Sequence, residues 1–210
     1  MNKNAWDKDD ERNICYYTSL IAKYDIDVRA LNWGSRESQQ LRFSILAQVG
    51  QLNGASVLDV GCGMGDFLGW LKKSGRKVEY IGIDITPKMI EVAQQRFPEA
   101  RFEIGSLPDV EDRIKEHYNF VFASGIFYYR QFEPLEFMKE MVTQMFDRCD
   151  NAVAFNSLSA WASAKEPDEF YADPLETIAF CQTLTPWVVL RHDYHLRDFT
   201  IYMYRKAQMA

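Results

Sequence analysis

Apolar positions recur along this chain at two spacings, and the spacings predict its elements. Ile14, Tyr17, Leu20, Ile21 and Tyr24 fall at helical spacing over residues 10–25, and Leu41, Ile45, Leu46 and Val49 do so over 37–49. Two amphipathic helices therefore open the chain, separated by a turn that holds Trp33 and Gly34. Short apolar runs then alternate with helix-length segments. Residues 56–60, 78–84, 101–104, 118–124 and 151–157 read as strands, and 186–194 with 198–205 as a final pair joined by a turn. The run YNFVFAS at 118–124 is apolar through its centre, as expected of a parallel strand covered on both faces. Helices over 66–74, 87–97, from 134, and 174–183 lie between the strands. Their ends are marked by Gly75, by Thr86 with Pro87, by Pro98, by Glu133 with Pro134, and by Asp173 with Pro174.

The stretch Ser56–Asp66, SVLDVGCGMGD, organises the rest. An apolar run ends in Asp59 and passes into Gly61, Gly63 and Gly65, which predicts a buried strand, a tight turn and a helix start. Glycine permits backbone torsions that other residues resist and leaves no side chain between backbone and ligand. A helix N-terminus at such a turn favours a carboxylate or another anionic group. The dinucleotide spacing G-x-G-x-x-G is not met, because the third glycine position is Asp66. Asp84 ends the second strand 21 positions after Gly63, close to the interval at which an acid meets the ribose hydroxyls of an adenine nucleotide.

These residues resemble the first motif of class I S-adenosylmethionine (SAM) dependent methyltransferases, hydrophobic-L-D-x-G-x-G-x-G, and the closing strand pair is similar to theirs. The resemblance extends over nearly the whole chain and is specific at residues 56–66 and 84. It implies an α/β, Rossmann-like seven-stranded sheet, mostly parallel with an antiparallel last strand, helices on both faces and an N-terminal helical cap. One domain would span 1–210, with the cap over 1–50 and the core over 51–210. It further implies that Asp59, Gly61 and Gly63 hold the methionine half of the cofactor, with Cys62 adjacent by position. Asp84 would take the ribose, Ile85 and Met89 the adenine, and Ser106 with Leu107 the adenine edge. Ser124 and Gly125 begin the loop after the fourth strand, where ligands of open α/β sheets lie. Base-modifying amino methyltransferases carry Asp or Asn, two prolines and an aromatic there, whereas this chain has SGIF, which points to a small-molecule acceptor.

On the acceptor side the resemblance nominates Tyr16, Tyr17, Trp33 and Arg42 of the cap. Phe127, Tyr128 and Tyr129 could form an aromatic cage with Tyr17, Trp33 and Trp161, and aromatic faces attract cations by about 0.5–2 kcal/mol. Each of these aromatics has core packing as its alternative. Tyr128, Tyr129 and His195 are the candidates for a catalytic role; His192 lies near His195, and His117 sits on the side away from the cofactor.

Composition narrows the partners. Apolar residues make up 47% and charged residues 26%, as in soluble globular proteins. A net charge of -6 argues against a main task of gripping nucleic acid. There is no secretory-type apolar core at the start and no apolar run long enough to cross a bilayer, so a cytoplasmic protein is expected. Four cysteines without a C-x-x-C pair indicate neither a disulfide framework nor a metal site. The expectation is therefore methyl transfer from SAM to a small molecule. An RNA or protein methyltransferase, a non-catalytic SAM-binding module and a nicotinamide oxidoreductase are the alternatives.

Overall fold

The computed structural model describes residues 3–208 except 33, 130 and 131, with side chains described from residue 6 onward. Strands β1 (Ser56–Val60), β2 (Glu79–Asp84), β3 (Arg101–Ile104), β4 (Tyr118–Ala123), β5 (Cys149–Leu158), β6 (Val188–Arg191) and β7 (Asp198–Tyr204) form one sheet in the order β3-β2-β1-β4-β5-β7-β6. Neighbours run parallel from β3 to β5, and β7 is antiparallel to both β5 and β6. The expected seven-stranded sheet with one reversed strand is thus present. Its helices are α1 (Lys3–Tyr24), α2 (Arg36–Leu46), α3 (Asp66–Lys73), α4 (Pro87–Arg96), α5 (Leu107–Val110), α6 (Pro134–Asp147) and α7 (Pro174–Leu184).

Strand side chains alternate between two apolar layers. Leu58, Val60, Ile83, Val121 and Phe155 face α6, where Met138, Val142 and Met145 are buried. Val57, Tyr80, Phe102, Phe120 and Phe122 face the opposite way, against Phe43 and Leu46 of α2 and Phe67 and Leu71 of α3. A strand covered on both sides has no polar side to show, which explains the apolar run Phe120–Ala123 of β4. Asp59 is the exception: it shares the Val57 face and is buried at 2% exposure.

α5 is not among the helices the spacing predicts. Four residues are too few to show a period, and only its capping box marks it: Asp109 accepts from the Ser106 backbone N–H at 3.0 Å and from its hydroxyl at 2.5 Å. Helix α1 packs through Ile21 onto Met64, Met89 and Val92. It therefore lies over the carboxyl ends of the strands.

Candidate active site

Strand order reverses between β1 and β4, and the crevice beyond such a reversal is where open α/β sheets take ligands. Gly61, Gly63 and Gly65 have φ of +72°, +54° and +77°, torsions that an L side chain resists. Space forbids a side chain at Gly61 as well, since a Cβ there would stand 2.1 Å from Ile126 Cγ2. The post-β4 loop, which carries Ile126, thus rests on the glycine turn.

The turn's donors are largely engaged within the protein. Gly61 and Cys62 N–H donate to the Ile83 carbonyl at 2.8 and 2.9 Å, and Gly63 N–H to Asp84 Oδ2 at 2.9 Å. Asp66 occupies the first turn of α3 and pairs with Arg96 at 2.7 Å. The expected preference for an anion at this turn is therefore overturned. Asp10, Asp59, Asp66 and Asp84 line the cavity above it, and among the described residues no Lys or Arg does. Such a site favours a cation.

That cavity, about 140 Å³, gathers most of the cofactor residues read from the sequence: Asp59, Gly61, Cys62, Gly63, Asp84, Ile85, Met89, Ser106, Ser124 and Gly125. Leu107 is not among them; as the first residue of α5 it turns into the core at 1% exposure. Asp84 accepts from Gly63 N–H through one oxygen and from Thr86 N–H, at 2.8 Å, through the other. Each oxygen keeps a second lone pair for a hydroxyl donor. Burial raises the Asp84 pKa against those two backbone bonds. Asp59 accepts from the Tyr80 hydroxyl at 2.5 Å, and burial lifts its carboxyl to about 7. Residues fit for SAM are thus in place: a ribose acceptor, an acidic chamber for a sulfonium and an ammonium, and an apolar slot at Ile85 and Met89.

A second cavity of about 340 Å³ adjoins the first, and the two share Leu31 and Gly125 in their walls. Tyr128, Asn156, Arg42, His195, Arg197 and Asp198 line it, with Phe127. Phe127 is otherwise core, packed edge-on to Phe137 and Phe155, so it supplies a wall more than a cage. Tyr17 and Tyr129 line the first cavity instead. The hydroxyls of Tyr17 and Tyr128 meet at 2.6 Å, and Tyr16 stacks on Tyr129 at 4.8 Å, so α1 clasps the post-β4 loop. Burial pushes the Tyr128 phenol up to about 12, which keeps its proton on and removes it as a base.

Trp161 does not join the cage. It is 50% exposed and lies against His192, whose Nε2 is 2.8 Å from the Ser159 hydroxyl, and neither lines either of these two cavities. Trp33 lies outside the described residues. His117 is beside Asp150 at the start of β5, away from both cavities. Sequence reasoning missed Asp10, Asn13 and Gln39 in the first cavity and Asn156 in the second. Asn156 had a signal, a lone amide in an apolar strand. Its Oδ1 accepts from Gly125 N–H and its Nδ2 donates to Ser124 Oγ, both at 3.0 Å, which fixes the start of the loop.

Comparison with known proteins settles the family. The sequence matches the methyltransferase domain family over residues 57–146. Rv1506c of Mycobacterium tuberculosis (strain ATCC 25618 / H37Rv), named as a methyltransferase with no acceptor in its name, is 33% identical over 72% of this chain and 93% of its own length. The chain belongs to the class I SAM-dependent methyltransferases. The magnesium-protoporphyrin O-methyltransferase of Rhodobacter capsulatus is 27% identical over 50% of this methyltransferase and 45% of its own length. Among solved structures, the magnesium protoporphyrin IX methyltransferase of Synechocystis PCC 6803 with bound S-adenosylhomocysteine superposes with a TM-score of 0.67. It covers 95% of this chain and 97% of that one at 15% identity, a likeness of fold. The methyltransferase uses SAM as its cofactor.

Proposed function

We propose that this methyltransferase modifies a polar small molecule held in the second cavity, beside the cofactor in the first. One observation carries the reading: a walled chamber of about 340 Å³ shares Leu31 and Gly125 with the SAM chamber. Its size lies at the lower end of small-molecule pockets. SAM supplies a methyl group already activated on a sulfonium. The chain's own residues have to place the two reactants and keep water out. Asp84 is set to take ribose hydroxyls and the acidic wall to hold the cationic end. Ile126 on Gly61, with the Tyr17–Tyr128 contact, closes the roof of the site.

Two relatives of partial coverage support a small acceptor by their names. One is the magnesium-protoporphyrin enzyme above; the other is the demethylmenaquinone methyltransferase of Thermotoga maritima, 29% identical over 42% of this chain and 38% of its own length. The polar lining here suits a more hydrophilic acceptor than a quinone. The cofactor residues named from the sequence, Leu107 apart, are proposed to act as expected, and the surroundings to be cytoplasmic; no helix among the described residues is long and apolar enough to cross a membrane.

The test supplies methyl-labelled SAM and a cell extract divided by dialysis. Label entering the dialysable fraction is the expected result. Label entering only RNA or protein would overturn the small-molecule reading, and SAM binding without any transfer would reduce the protein to a binding module.

A further inference from the structure

In the cofactor cavity one buried polar side chain finds no partner among the described residues. Asn13 lies midway along α1, is 6% exposed and lines the first cavity, and its Oδ1 accepts no hydrogen bond. A buried amide oxygen is rarely left without a donor, because the water it gave up is then not replaced. Its neighbours on α1 are engaged: Asp9 accepts from the Phe132 N–H at 3.1 Å, and the Tyr17 hydroxyl meets that of Tyr128. Helix α1 is thus pinned on both sides of Asn13, which holds the carboxamide over the cavity.

The cavity is walled from both faces of the sheet. On one side Gln39 of α2 donates to Asp66 of α3 at 3.2 Å, with Asp59 in the same wall and Phe43 and Phe67 packed behind. This acidic wall suits the ammonium and the sulfonium. On the other side stand Gly105 and Ser106, at the cap of α5, with Phe137 and Met141 of α6. Leu107, Val110, Met138 and Met141 share one apolar cluster, so α5 and α6 cover the same face. Helix α1 sets out from this side, where Trp6 packs edge-on against Phe137 at 5.7 Å, and reaches Met89 of α4 only at Ile21. Asn13 stands between these contacts, on the α6 side of Tyr17.

We propose that Asn13 recognises the adenine of SAM, its Oδ1 accepting from the N6 amino group and its Nδ2 donating to the ring nitrogen beside it. Adenine shows an amino donor next to a ring acceptor, and a carboxamide shows the complementary pair. Asp84 takes the ribose and the acidic wall the methionine end, which leaves the base to satisfy Asn13. The N6 amino group has a second hydrogen for Ser106 Oγ, whose own hydrogen goes to Asp109 at 2.5 Å. Recognition of the base thereby depends on α1, which lies outside the matched segment 57–146. Neither the acceptor nor the second cavity enters this inference.

Calorimetry on the whole protein with two ligands tests it: S-adenosylhomocysteine, and the purine analogue of that molecule without the N6 amino group. Wild type should bind the adenine form about 10-fold more tightly, the range for a buried acceptor left unpaired. Asn13→Leu, close in size and a good helix former, should weaken S-adenosylhomocysteine by about 10-fold and shrink the preference between the two ligands by about threefold or more. Asn13→Asp keeps an acceptor oxygen and should keep the preference. A substitution that merely loosened α1 would weaken both ligands alike and leave their ratio at the wild-type value. That result in Asn13→Leu would overturn the proposal, as would equal binding of the two ligands by wild type or loss of the preference in Asn13→Asp as well.

Discussion

Replacing Asp59 by Asn should change how folding stability depends on pH more than it changes any single value. The carboxyl sits at 2% exposure in an apolar layer. Burial raises its pKa from 3.8 to about 7 against the Tyr80 hydrogen bond, with repulsion from Asp84 and Asp66 adding to the rise. A carboxyl that holds its proton more tightly in the folded than in the unfolded chain stabilises the fold while protonated. That contribution is complete below the unfolded value of 3.8 and is lost as pH climbs through 7. The interval from 3.8 to about 7 corresponds to at most about 4 kcal/mol. Asn does not titrate, so the stability of the variant minus that of wild type should rise by up to that amount between ~pH 4 and ~pH 8.5, whatever constant offset the amide introduces. For a chain of this length the rise is on the order of 10 °C in Tm, read from melts of both proteins across the range. Parallel curves would refute the reasoning. Cofactor adds a second arm: a cation favours ionised Asp59, so SAM binding should release protons near neutral pH and tighten as pH rises through 7. Calorimetry in buffers of unlike ionisation enthalpy measures that release, and Asp59→Asn should abolish it.

Three further outcomes test the rest of the site. Asp84→Asn should weaken SAM binding by about 10- to 100-fold, the range for loss of charge-assisted hydrogen bonds, and unchanged calorimetric affinity would remove Asp84 from the ribose site. Gly61→Ala puts a Cβ 2.1 Å from Ile126 Cγ2 at a φ of +72°; SAM binding should be lost while the far-ultraviolet circular dichroism is kept, and normal binding would contradict the close-packed roof. Tyr128→Phe deletes the hydroxyl contact with Tyr17, so amide exchange in the 125–129 loop should quicken about fivefold, a hydrogen bond's worth of about 1 kcal/mol. Unchanged exchange would mean that the contact does not hold the loop.

The sheet and the cofactor chamber were legible in the sequence because both are written in local pattern, and the acceptor chamber was not because it is assembled from distant segments. Strand β3 falls at its expected bounds, since the alternation of charged and apolar residues in Arg101–Ile104, with Pro98 before it and Gly105 after it, needs no tertiary information. Asp173 was readable as a cap in the same way and accepts from Leu175 and Glu176 N–H at 2.8 and 3.0 Å. The sign of the cofactor chamber's charge was not local. The glycine turn alone suggested an anion, but its N–H groups are taken by Ile83 and Asp84, and Asp10 of α1 arrives from far away in the chain. The second chamber joins Arg42, Tyr128, Asn156 and Asp198, residues from four separate elements, and no spacing rule relates them. The aromatics show the same limit from the other side. Tyr128 and Trp161 look alike as polar-loop aromatics, yet the first is half-buried with its hydroxyl on Tyr17 of α1 while the second stays half exposed on the 159–173 loop. Burial decides chemistry here as well as packing: it pushes the Tyr128 phenol up to about 12, which keeps its proton on and takes Tyr128 out of the bases named from sequence.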